Sequence, residues 1–256
     1  MSIELIDVYK AFGAKRVLEG FSLKIEDGET MALVGFSGAG KSVALKHIVG
    51  LLKPDSGTVC VDGQDVDSLT REELNELRRK VGFVFQFAAL FDSMTVADNI
   101  AMGLLKQGGF SEDQLKERIE ESLAMVELDG YGVRMPSELS GGQRKRAGLA
   151  RAIAFRPKYL LYDEPTSGLD PVTTTVIDDL ILKMKRELGV TSLVITHDMG
   201  SAYRVSDRIA MLYEGRVIEV ATPDEIRATE NPIVRGFIEG RPALVEQGRL
   251  EQAEAR

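Results

Sequence analysis

Apolar and polar residues alternate through roughly the first 30 positions. Ile3, Leu5 and Val8 carry the first apolar set, and Val17, Leu18, Phe21, Leu23 and Ile25 the second. This pattern predicts strands, broken by turns at Gly13-Ala14 and Glu26-Asp27-Gly28. Thr30-Met31-Ala32-Leu33-Val34 is a short apolar run, as expected of a strand buried on both faces. A glycine-rich loop follows. Beyond it, Leu45, Ile48, Val49 and Leu52 give a helical spacing over 41–52, which Lys53-Pro54-Asp55-Ser56-Gly57 should stop.

Short strands are predicted at 59–61 and 81–85. From about 95 to 155 the pattern turns helical. Ser111 reads as an N-cap, and Leu115, Ile119, Leu123 and Val126 repeat at helical spacing. After 156 strands and helices alternate again: a strand at 159–162, a helix at 172–187 and a strand at 191–196. The segments 209–213 and 216–221, parted by Glu214-Gly215, read as a hairpin. The tail from Arg241 mixes three basic with three acidic residues and lacks clear apolar periodicity, so it is expected to be loosely held. The pattern as a whole is an α/β core interrupted once by a helical insert. Neither a repeat nor a linker is evident, which predicts one chain-level unit with two lobes.

Charge narrows the partners. The 256 residues include 32 Lys and Arg against 40 Asp and Glu, a net charge of −8. Nothing in that balance supplies the basic face that nucleic-acid phosphates need, so no nucleic-acid partner is expected. An anionic bilayer surface would repel the chain on average, which leaves protein contacts as the route to a membrane. Cys60 is the only cysteine, which excludes an intrachain disulfide; its β-branched neighbours make it a small core residue. The N-terminus lacks a basic region and a long apolar run. No stretch approaches the ~18 apolar residues of a membrane span. A cytoplasmic location is expected.

Two motifs carry phosphate chemistry. Gly35-Phe36-Ser37-Gly38-Ala39-Gly40-Lys41-Ser42 fits G-x-x-x-x-G-K-[ST], with a buried strand before it and a helix after. Its glycines let successive backbone N–H groups point inward at a β-phosphate. The helix N-terminus aims its dipole at the same charge. Lys41 would reach the β- and γ-oxygens, Ser42 would ligate Mg²⁺, and Val43 completes the nucleotide-binding set. The second motif, Tyr159-Leu160-Leu161-Tyr162-Asp163-Glu164, is an apolar strand ending in two carboxylates. Asp163 would hold the metal, and Glu164 would polarise a water in line with the γ-phosphate. His47, on the helix after the loop, reads as a core residue.

Leu139-Ser140-Gly141-Gly142-Gln143 resembles the signature motif of ATP-binding-cassette (ABC) ATPases. Other family elements stand in the family's order over residues 1–225 or so. Phe12 resembles the aromatic that stacks on adenine, Gln86 the Q-loop glutamine, Ser167-Gly168-Leu169-Asp170 the D-loop, and His197 the switch histidine at the γ-phosphate. The resemblance implies a P-loop cassette of the α/β class over 1–240, with a RecA-like core, an antiparallel β subdomain and a helical subdomain at about 88–155. It implies ATP and Mg²⁺, with Gln86 joining Ser42 and Asp163 at the metal. It also implies catalysis by Glu164, His197, Gln86 and Lys41. From the residues alone, Ser140-Gly141-Gly142 opens a helix and so forms a second anion site. In the family that signature completes the other subunit's site, which makes a C2 homodimer the simplest assembly for a single cassette.

The kind of cassette is a finer reading. Residues 43–138 hold no sustained heptads, and the chain has one cassette, so a transporter subunit fits better than a soluble chromosome- or translation-type protein. The apolar run from Phe87 through Leu90 and Phe91 to Met94 reads equally as helical-lobe core and as the surface that receives a helix of an integral membrane permease. The segments 85–96 and 41–47 resemble the ATPases of MCE-type lipid transporters, including the Mla phospholipid system. That implies a permease and an MCE-type lipid-binding protein as partners, a place at the inner face of the membrane, and a tail, 241–256, free to touch the second subunit. The ATPase of a solute or amino-acid importer is the alternative.

Overall fold

The computed structural model describes residues 2–254, with side chains through 251. The chain forms two compact units, residues 1–69 with 193–256 and residues 70–192.

The first unit opens on the antiparallel pair β1 (Ile3–Phe12) and β2 (Lys15–Ile25), in register from Ile3↔Ile25 to Phe12↔Lys15. The alternating apolar residues of both strands point to one buried face. After β3 (Thr30–Gly35) and α1 (Lys41–Ile48), β4 (Ser56–Val61) pairs with the free side of β1, and β5 (Gln64–Asp65) completes the order β2-β1-β4-β5. Val59 and Val61 are buried, so the period of two turns Cys60 to the other face, where it is only half-buried. Cys60 is therefore not a core residue, although partial burial still pushes its thiol pKa up.

α1 stops at Ile48 rather than at Leu52. Gly50 adopts φ 61°. Its N–H donates to the His47 carbonyl at 3.0 Å, and the Leu51 N–H donates to the Lys46 carbonyl at 2.8 Å. This is a Schellman end, and it overrides the apolar spacing that continues beyond it.

The second unit holds α2 (Arg71–Arg79), β6 (Val81–Val84), α3 (Val96–Gln107), α4 (Glu112–Met125), α5 (Gly141–Ile153), β7 (Tyr159–Asp163) and α6 (Pro171–Leu188). Side-chain caps start these helices: Thr70, Thr95, Ser111 and Ser140 each form a reciprocal capping box, and Asp170 caps α6. β6 and β7 run parallel, from Val81↔Tyr159 to Val84↔Tyr162. Helices α3 to α5 fall within 88–155, but the compact unit is wider and includes the acidic strand β7.

The chain then adds β8 (Thr191–Ile195), α7 (Met199–Val205), β9 (Arg208–Tyr213) and β10 (Arg216–Ala221). β9 pairs parallel with β3 and forms the expected hairpin with β10. Three helices close the chain, α8 (Pro223–Arg227), α9 (Pro232–Glu239) and α10 (Pro242–Glu254). The segment expected to be loose is thus mostly helix, with residues 255 and 256 outside the described residues. Helix-forming residues fill it, and it packs on α9 through a close backbone approach. A Cβ on Gly236 would lie 2.6 Å from Val245 Cγ2 and 2.9 Å from the Arg241 carbonyl oxygen. Periodicity missed this because glycines receive apolar side chains at the contact, Gly236 facing Val245 and Gly248 facing Ile233, and a glycine leaves a gap in an apolar stripe.

Candidate nucleotide site

Strand β3 is wholly buried and delivers the phosphate-loop sequence at its C-terminal end. Gly40 caps α1 with φ 109°, a region that L side chains rarely adopt. A Cβ there would stand 2.9 Å from the Val17 carbonyl oxygen. Lys41 is the first residue of α1 and is buried. Its Nζ donates to the carbonyls of Gly35 (2.6 Å) and Phe36 (3.1 Å), so the ammonium sits inside the curl of the loop. The Ser37 and Gly38 segment is exposed, and Ser42 and Val43 on the first turn of α1 are half-buried. This is a backbone nest at a helix N-terminus with one fixed cation, suited to an anion of high charge density.

Phe36 does not face solvent freely. Its ring meets Phe237 edge-on at 5.0 Å and Tyr213 at 5.9 Å, which ties the loop to α9 and β9. His197 follows β8 and is exposed. It borders a cavity of about 590 Å³ together with Gly35, Phe36 and Ser37. Phe12 ends β1 with 49% of its surface exposed, and Lys10 Nζ lies 5.7 Å from its ring centre. An exposed aromatic face of this kind is available to a planar base.

His47 belongs to the core, 1% exposed. A carbonyl only accepts, so the 2.7 Å contact to the Val43 carbonyl makes Nδ1 the protonated nitrogen. Nε2 is buried without a hydrogen-bond partner. Burial lowers the pKa of this imidazole.

In the second unit, β7 buries Tyr159 to Tyr162 and ends in the half-buried Asp163, with the half-buried Glu164 just beyond it. Glu164 is left-handed, with φ 51°. Its carbonyl accepts from the Ser167 N–H (3.2 Å) and from Lys145 Nζ (3.2 Å). Gln86 Nε2 donates to Ser167 Oγ at 3.4 Å, so Gln86 and the acidic turn meet. Asp170 uses its carboxylate to cap α6, accepting from the N–H groups of Val172 and Thr173 at 3.0 Å each; the Thr173 hydroxyl first, and then those N–H groups, lower its pKa. Ser140 caps α5: its Oγ accepts from the Gln143 N–H (3.2 Å), and Gln143 Oε1 accepts from the Ser140 N–H (2.9 Å). Ser140 and Gly141 face solvent at the helix N-terminus, Gly142 is buried, and Gln143 Nε2 reaches the Tyr131 hydroxyl at 3.2 Å.

The apolar run after Gln86 is largely a surface. Phe87 is 86% exposed and Phe91 is 48% exposed, while Ala88 is buried. Ala88 and Ala89 are left-handed (φ 59° and 50°). Arg151 of α5 donates to both of their carbonyls, at 2.9 and 2.6 Å.

Lys145 and Arg151 were not among the expected site residues. A signal for Lys145 exists: it falls on the buried stripe Gly142, Lys145, Leu149 and Ala152, where a cation has no place unless something receives it. The three cations after the signature diverge. Arg144 is exposed, Lys145 is buried, and Arg146 reaches the carbonyls of Val126 and Glu127. They make no basic stripe.

Among the described residues no trio of His, Cys, Asp or Glu could hold a metal ion. The Ser42 hydroxyl, Gln86 amide oxygen and Asp163 carboxylate are hard oxygen donors. Each is a donor type that suits Mg²⁺, which leans on waters and substrate phosphates rather than on a protein cage. No helix among the described residues is long and apolar enough to cross a membrane.

The family model for ABC transporters matches residues 18–167, from β2 through the phosphate loop, Gln86 and the signature to Ser167. This chain belongs to the ABC transporter family. It is an ATP-binding cassette that hydrolyses ATP. The cassette is 44% identical over 255 residues to protein TRIGALACTOSYLDIACYLGLYCEROL 3 of Arabidopsis thaliana, covering 93% of this chain and 73% of that protein. It is 40% identical to the probable ribonucleotide transport ATP-binding protein mkl of Mycobacterium tuberculosis, covering 94% and 67%. It is 43% identical to the sulfate/thiosulfate import protein CysA of Caulobacter vibrioides, covering 93% and 70%. Among solved structures it resembles the dimeric cassette MJ0796 bound to ADP and Pi in a post-hydrolysis state. That match has a TM-score of 0.79 at 35% identity and covers 86% of this chain and 98% of that one.

Proposed function

We propose that the cassette is the ATP-hydrolysing subunit of a lipid transporter and that it works as a homodimer on separate membrane subunits. The observation that carries the lipid reading is the similarity, over 93% of the chain, to the Arabidopsis protein whose name contains a galactolipid. Sulfate and methionine import proteins at 41–43% identity favour, as a second reading, a solute importer.

The roles follow from the chemistry of each group. The backbone N–H groups of 35–40, Lys41 and the α1 terminus bind the phosphates, and Phe12 stacks on the base. Ser42, Gln86 and Asp163 hold Mg²⁺, which offsets phosphate charge. Glu164 takes a proton from the attacking water, and His197 hydrogen-bonds the γ-phosphate. The exposed terminus of α5, with Ser140 and Gly141, caps the nucleotide bound by the second copy, with Asp170 beside it. Dimerisation is supported by the dimeric cassette it resembles. The exposed Phe87 and Phe91 receive a short helix of the permease. An MCE-type lipid-binding protein completes the assembly at the inner face of the membrane.

Affinity capture of the tagged cassette from detergent-solubilised membranes tests this. A permease recovered with an MCE-type protein is the expected result. Recovery with a solute-binding protein would replace the lipid reading by the importer one. Recovery of nucleic acid or ribosomes alone would overturn both.

A further inference from the structure

α5 carries one charge where its pattern calls for a hydrophobe. Lys145 is 9% exposed and lies on the stripe with Gly142, Leu149 and Ala152. A lysine rarely enters such a position without a receiver. Here the receiver is the main-chain carbonyl of Glu164, 3.2 Å from Nζ. That carbonyl already closes a turn by accepting from the Ser167 N–H, and its residue is held at φ 51°. A non-glycine residue persists in this region only when its surroundings hold it there. Burial pushes the Lys145 pKa down to about 8, and the Glu164 carboxylate opposes that shift.

We propose that Lys145 is a positioning residue for Glu164: its ammonium pins the Glu164 carbonyl in the left-handed turn and so sets the direction in which the carboxylate leaves β7. The inference rests on the reading of Glu164 as the base. The residue that holds Glu164 is on the same rigid helix whose first turn is the signature. A shift of α5 as Ser140 and Gly141 meet a nucleotide therefore moves the anchor of the base in the same chain. One helix thus serves both sites of the proposed dimer.

Steady-state ATPase measurements on Lys145→Met, Lys145→Gln and Glu164→Gln test this, together with melting temperature and ATP affinity. Lys145→Met keeps the length and loses the donor. It should lower kcat about 10-fold while KM for ATP stays within about twofold, the mark of a misdirected group rather than of lost binding. Lys145→Gln restores a donor and should recover much of that loss. In the Glu164→Gln background, Lys145→Met should cost nothing further, because a positioning residue acts only through what it positions. Unchanged kcat in Lys145→Met overturns the proposal. So does an additive loss in the double variant, or a fall in melting temperature that Gln does not rescue. If Glu164→Gln alone turns over like the wild type, the reading of Glu164 fails and the proposal falls with it.

Discussion

Lys41 and His47 lie on the same helix, six residues apart, and have opposite fates. Lys41 holds its charge inside the phosphate loop, where its ammonium donates to the carbonyls of Gly35 and Phe36. Phosphate oxygens are stronger partners for it. Lys41→Ala should abolish ATP turnover and weaken nucleotide binding severely, as read by calorimetry. His47 is kept neutral instead. Its folded pKa lies below the ordinary 6.5, so the unfolded chain binds the proton first. Stability is then fully present above pH 6.5 or so and falls as the pH drops below it. Thermal melts of the wild type and His47→Gln between pH 7.5 and about 5 should diverge, the variant losing less on acidification. Equal slopes would mean that the imidazole contributes nothing to the acid limb. The placement of a single residue was legible where a motif dictates it, as for Lys41 at the start of α1 inside the loop. Lys145 and Arg151 were not, because a cation donating to a main-chain carbonyl leaves no pairing pattern in sequence.

Element by element, the same division holds. The Ser111 cap, the hairpin at Glu214-Gly215 and the buried β3 could be read directly, since each rests on local rules. The early stop of α1 and the helix α10 could not. Gly50 outweighs the apolar residue that follows it, and α10 is held by the bare backbone of Gly236. The Q-loop run left two readings open, and exposure separates them residue by residue: Ala88 is core, Phe87 and Phe91 are surface. Arg151 fixes the backbone between them, so the rings are presented from a clamped turn. Phe87→Asp buries no charge in the cassette and should leave its melting temperature and ATP binding near wild type. Co-purification with the permease should fall. Undiminished recovery of the permease would remove the docking role from this surface.

For the whole molecule the decisive expectation is the dimer that ATP holds together. Glu164→Gln replaces a carboxylate by a neutral group of nearly the same shape, so ATP binding survives while the water loses its base. Light scattering after gel filtration should find this variant dimeric with Mg·ATP and monomeric without. Adding Ser140→Arg should return it to the monomer, because a long side chain then fills the space due to the partner's phosphate. That change also removes the cap on α5, at about 1 kcal/mol, so a melt must accompany it. A double variant that dimerises as well as the single one would refute the shared site. The contact of Phe36 with Phe237 has a separate consequence, in time rather than in space. The two rings are roughly 200 residues apart, and a ribosome adding about 5–20 residues per second needs roughly 10–40 s to connect them. β3 waits nearly as long for its partner β9. Throughout that interval the nascent chain displays a complete phosphate-binding motif without the packing that shapes it. A chain cut short before α9 therefore keeps the whole motif and lacks the aromatic wedge behind it.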